Sequence, residues 1–153
     1  MRVDSINNYN TNFNGIIKNT DMLQKHIQQE ISKGDETLLF PFFNTLKAIK
    51  KDPAADEFVL EEVNGKTLIK YGSEEKICDK GTNVIDEIVD MGREIFGLEK
   101  IYADAQEINN AYDTKLQAVF LEEEGTQASQ QEAKTLNEKA TKLLNNAFQS
   151  LLS

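Results

Sequence analysis

Tryptophan is missing from this 153-residue chain, and cysteine, histidine and proline number one, one and two. Each shortage excludes some chemistry. A single thiol, Cys78, can form no internal disulfide and no thiolate metal cage, and nothing marks the chain as matured in an oxidising compartment. With His26 as the lone imidazole, neither a multi-histidine zinc site nor the paired Glu-x-x-His arrangement of di-iron bundles can be assembled. The longest apolar run, residues 38–43, is broken by Pro41 and falls far short of the roughly 18 residues that cross a bilayer, so no integral membrane segment is expected. The opening residues also lack the apolar stretch of a secretory signal peptide. The sequence reading therefore places the protein in the cytoplasm, with export by a route independent of such a signal as the alternative.

Positive charge is scarce as well. Lysine and arginine number 17 against 26 aspartates and glutamates, a formal net charge of -9. The deficit is concentrated between Asp52 and Glu124, where 19 acidic residues meet only 7 basic ones. Nucleic-acid binding relies on clustered cations that displace counterions from phosphates, so an acidic centre argues for no nucleic-acid partner.

At 39% hydrophobic residues the chain has enough apolar material for one core, and its length suits one domain. Helical periodicity dominates. Leu23, Ile27 and Ile31 recur on one face after a cap at Thr20 or Asp21, with Gly34 as a terminator. Asp35 is a second candidate cap, and Pro41 predicts a helix either kinked at Phe40 or beginning there, then running on through Leu46 and Ile49 to Asp52-Pro53. After Asn83, an apolar pattern runs from Val84 through Ile88, Met91, Ile101 and Ile108 to Leu116, Val119 and Phe120. Because no capping side chain follows Gly97, one long bent helix is predicted, ending at Gly125. Ser129 and Glu132 make a capping box for a last helix carrying Leu136, Ala140, Leu144 and Phe148. The short turn between these two segments predicts an antiparallel helical hairpin.

The one strong β signal is Asn64-Gly65, which supplies the two positive-φ residues of a type I′ turn. It sets Val63 opposite Lys66 and Phe58 and Leu60 opposite Tyr71 and Ile69, a hairpin over about 57–72, with Lys76-Ile77-Cys78 as the only nearby third strand. The expected fold class is mainly α (α+β): a helical hairpin or bundle of about four helices around one central β-hairpin. Residues 21–153 form that single domain. Residues 1–20, six of them asparagine, read as an extended or disordered arm threaded with Val3, Ile6, Tyr9, Phe13, Ile16 and Ile17.

Catalytic constellations are thin. His26 lies beside an apolar helix face with no obvious nucleophile or orienting carboxylate, which suits a boundary residue better than a general base. Cys78 lies near Lys76 and Lys80, which would lower a thiol pKa, but a small buried hydrophobe is the plainer reading. Asp86, Glu87, Asp90 and Glu94 share the spacing of a divalent-metal site on a helical hydrolase, and equally that of any solvated helix face. The sequence therefore points away from an enzyme and from any cofactor. It points to an interaction or adaptor protein that binds a protein partner, or itself as a homo-oligomer, through apolar helix faces and the arm. Ile6, Tyr9, Phe13, Phe40, Phe42 and Phe43 are the candidate contact residues. An exported effector or structural component addressed by its first twenty residues is the first alternative, and a metal-dependent helical hydrolase the second.

Overall fold

The computed structural model describes residues 15–33, 36–52 and 56–153. Among them are six helices and one four-stranded sheet, in the order β1 (Ile16–Lys18), α1 (Thr20–Lys33), α2 (Glu36–Lys50), β2 (Glu57–Val63), β3 (Lys66–Tyr71), β4 (Glu74–Cys78), α3 (Val84–Phe96), α4 (Leu98–Ile101), α5 (Gln106–Glu124) and α6 (Gln127–Leu152). The class is α+β, with more helices than the four expected and a sheet in place of a lone hairpin.

Asn64 at φ 53° and Gly65 at φ 79° make the turn between β2 and β3. The register follows, with Val63 opposite Lys66, Leu60 opposite Ile69 and Phe58 opposite Tyr71. Strand β4 pairs antiparallel with β3 and sets Cys78 opposite Thr67. On the other side β1 joins β2 in parallel, Ile17 opposite Phe58. Strand β1 comes from the opening stretch that composition reads as an arm. Its seat begins at Gly15, whose N–H donates to the Lys50 carbonyl, and ends at Asn19, whose side-chain amide donates to the Leu60 carbonyl at 2.7 Å. The boundary drawn at residue 20 thus cuts just behind a strand, while residues 1–14 lie outside the described residues.

Helix α2 is the hub, packing against α3, α4, α6 and β1. Leu39 and residues 41–46 are all buried, which is why the run from Leu38 to Phe43 is apolar around the whole helix rather than along one stripe. Pro41 sits inside the helix, not at its first turn. The Thr45 hydroxyl donates to the Pro41 carbonyl at 2.7 Å one turn on. Phe148 of α6 meets both Phe42 and Phe43, with ring centroids 5.5 and 5.2 Å away. From the sheet, Phe58, Leu60, Ile69 and Tyr71 complete the core.

The long helix predicted from Val84 to Glu124 is three helices. Gly97, at φ 93°, turns the chain out of α3 by backbone freedom alone, without any side-chain cap. A second break follows α4, and buried Asn44 holds it: its amide donates to the carbonyls of Ile101 and Ala103 at 2.9 and 2.7 Å. The last helix also starts earlier than its sequence suggests. Thr126 is the N-cap and exchanges hydrogen bonds with Ser129, so Ser129 is the last residue of the box and not its first. Gly125, in the left-handed conformation, closes α5 as expected.

Candidate interaction surfaces

Helices α5 and α6 form the antiparallel hairpin, and α5 packs chiefly on α6. Small residues make that seam. Ala111 and Ala118 on α5, and Ala133 and Ala140 on α6, are all buried at seven-residue intervals, with Ser129 buried near the turn. Alanines in these positions let two helix backbones approach closely. Beyond buried Ile108 and Tyr112, three larger apolar residues of α5 are left outside: Leu116, Val119 and Phe120 are 53%, 47% and 58% exposed. These three lie at i, i+3 and i+4 and form one patch on the face turned away from α6.

Toward the body, the patch runs into Tyr112, stacked on Phe40 at 4.7 Å between centroids. Phe40 also lines a shallow hollow of about 440 Å³ with Thr37, Pro41, Tyr102, Ala103 and Asp104. The Lys47 ammonium, 2.7 Å from the Glu107 carboxylate, ties the start of α5 to α2 and holds that carboxyl below its usual pKa. A larger trough of about 750 Å³ lies between α5 and α6, but its lining of Glu122, Gln130, Lys134, Asn137, Glu138 and Thr141 is polar throughout.

The outer face of the sheet offers a second apolar surface. Val63, Leu68 and Ile77 border a hollow of about 260 Å³, and Ile77 is 67% exposed. Ion pairs fence it, Lys66 to Asp79 at 3.2 Å and Lys70 to Glu61 at 3.6 Å.

Of the candidate contact residues, Phe42 and Phe43 are buried at 0% and 1% exposure, so their side chains are consumed by the core and lend no surface to a partner. Phe40 is half-buried. Ile6, Tyr9 and Phe13 lie outside the described residues. The structure offers Leu116, Val119 and Phe120 instead. Their apolar character is plain in the sequence, but periodicity alone assigns them to the core. The heptad-spaced alanines 111, 118, 133 and 140 were the signal that the seam lies elsewhere on α5.

The groups considered for chemistry are dispersed. Cys78 is buried, and burial pushes its thiol pKa up, with Glu87 adding to the shift; Lys76, which would oppose it, is engaged 2.5 Å from Glu87. Half-buried His26 has its pKa lowered by burial and by Lys33. Asp90 pairs with Arg93 on the same helix, while Asp86 and Glu94 are exposed. No group of three or more His, Cys, Asp or Glu that could hold a metal ion occurs among the described residues. Buried Glu30 accepts a hydrogen bond from Asn83 at 3.3 Å and pairs with Lys33 at 3.6 Å, linking α1 to the start of α3. Among the described residues no helix is long and apolar enough to cross a membrane.

Comparison with known proteins finds no match: no family model fits the chain, and no curated protein and no solved structure is significantly similar to it.

Proposed function

We propose that the protein is a non-enzymatic interaction module that binds another polypeptide through the outward face of α5. The exposure of Leu116, Val119 and Phe120 together on one helix face carries this reading. Burying what remains exposed of each side chain would contribute roughly 1 kcal/mol, enough for three neighbours to anchor a helix-in-groove contact. Glu122, Glu123 and Glu124 at the end of the same helix favour a protein surface over a nucleic acid.

The test is site-specific photo-crosslinking in the native host, with a photoreactive phenylalanine analogue in place of Phe120 in the full chain. A discrete polypeptide adduct that disappears when Leu116→Glu is added supports the reading. Absence of any adduct, or one indifferent to Leu116→Glu, overturns it.

A further inference from the structure

We propose that the occupant of the outward α5 face is a second copy of this chain, packed antiparallel about a two-fold axis passing near Ala118; this rests on the reading of that face as a docking surface. Phe40 covers Tyr112, which leaves 113–124 as the free part of the face. Twelve helical residues span about 18 Å. Leu116, Val119 and Phe120 sit near the middle of that stretch, so a half-turn about an axis between residues 117 and 118 lays one apolar cluster on the other.

Residues 116, 119 and 123 continue from covered Tyr112 the 4-3-4 spacing of a helix-pairing seam, so the apolar seam positions within the free stretch are Leu116 and Val119. In an antiparallel pairing centred between residues 117 and 118, Leu116 meets Val119 of the second copy twice, once on each side of the axis. Phe120 covers the seam from one flank. On the other flank, which borders the trough between α5 and α6, half-buried Lys115 comes opposite Glu122 of the second copy, again twice; one oxygen of Glu122 accepts from Asn137 of its own α6 at 3.2 Å, and the other is left to meet the lysine.

Charge chooses the direction. A parallel pairing would set the glutamates at 122–124 of both copies side by side, where like charges repel. The antiparallel one sends the two triplets to opposite ends and brings each near a lysine. The self-paired stretch is short beside the interfaces of permanent dimers, so the association is weak and reversible, with a dissociation constant in the micromolar range.

Sedimentation velocity of the full chain tests this. The expected result is a reversible shift from 17.3 kDa toward twice that mass as concentration rises through the micromolar range. Leu116→Glu and Phe120→Glu should each weaken association at least about tenfold while leaving the melting temperature at low concentration unchanged, because both side chains are exposed in the monomer. Lys115→Glu should weaken it too, and adding Glu122→Lys should restore it, a rescue that neither a parallel pairing nor a contact through the sheet predicts. A chain that stays monomeric at millimolar concentration, a dimer indifferent to Leu116→Glu, or a failed rescue overturns the proposal. If the chain is monomeric but position 120 still traps a different polypeptide in the host, the second copy is wrong and the docking face stands. If position 120 traps nothing, both fall.

Discussion

Gly92 owes its place to Thr45. A Cβ at Gly92 would lie 2.5 Å from the Thr45 Oγ1 and 2.7 Å from its Cγ2, so the missing side chain lets α3 press onto α2. Thr45 is buried, and its hydroxyl is committed to the Pro41 carbonyl, so the side chain has little freedom to move aside. Gly92→Ala is expected to cost about 1–3 kcal/mol despite the better helix propensity of alanine, read as a drop in melting temperature. Thr45→Ala in the same chain should return part of the loss, and a double-mutant cycle would measure the coupling.

His26 gives the residue scale a pH signature. Burial and Lys33 lower its pKa in the folded protein, so below the ordinary value near 6.5 the unfolded chain takes up a proton first. Stability is unaffected by this group above that value and declines as pH falls through it. Denaturant titrations at pH 7.5 and pH 5.5 should show the decline, and His26→Gln should reduce it. The half-buried placement agrees with the boundary role that its position in the helix suggests. Asn44, by contrast, was illegible: an asparagine inside an apolar helix gives no hint of carbonyls on a segment far along the chain.

At the scale of elements, what local chemistry encodes was readable. Asn64-Gly65 specified a turn type and hence a register, and Gly125 specified where α5 stops, because in each case the responsible residues adjoin the feature. Strand β1 could not be read that way. It has three residues, its partner lies about forty positions on, and Gly15 tells nothing until Ile49 is placed beside it. A Cβ on Gly15 would fall 1.7 Å from the Ile49 carbonyl oxygen, on backbone that cannot yield. Gly15→Ala is therefore expected to lift β1 from the sheet. Amide hydrogen exchange should show lost protection at 16–18 with the β2–β3 ladder retained; unchanged protection would contradict the packing. The break at Gly97 escaped for a related reason. A search for capping side chains does not see a residue that ends a helix by having none, and the second break depends on Asn44. At the last helix, Thr126 and Ser129 both suit a cap, and the one nearer Gly125 wins because it satisfies the first turn as soon as α5 has ended.

For the whole molecule, the organising fact is a buried central helix enclosed by elements from both ends of the described chain. Phe148 closes the far side by packing on Phe42 and Phe43 together. Phe148→Ala should cost about 3–5 kcal/mol, a large share of what holds a domain of this size together, and circular dichroism on heating would register it as a broad early melt. No surface truncation on the exposed face of α5 should come near that loss, which separates core from contact residues in a single series.

The enclosure of α2 also governs the order of events at the ribosome. Phe42 and Phe43 are synthesised about a hundred residues before Phe148, an interval on the order of 5–20 s at ordinary elongation rates. Throughout it, the greasiest segment of the polypeptide has no finished pocket to enter. The nascent protein must be shielded by a chaperone or held in a provisional collapse, and its final shape is sealed only once the last helix has cleared the exit tunnel.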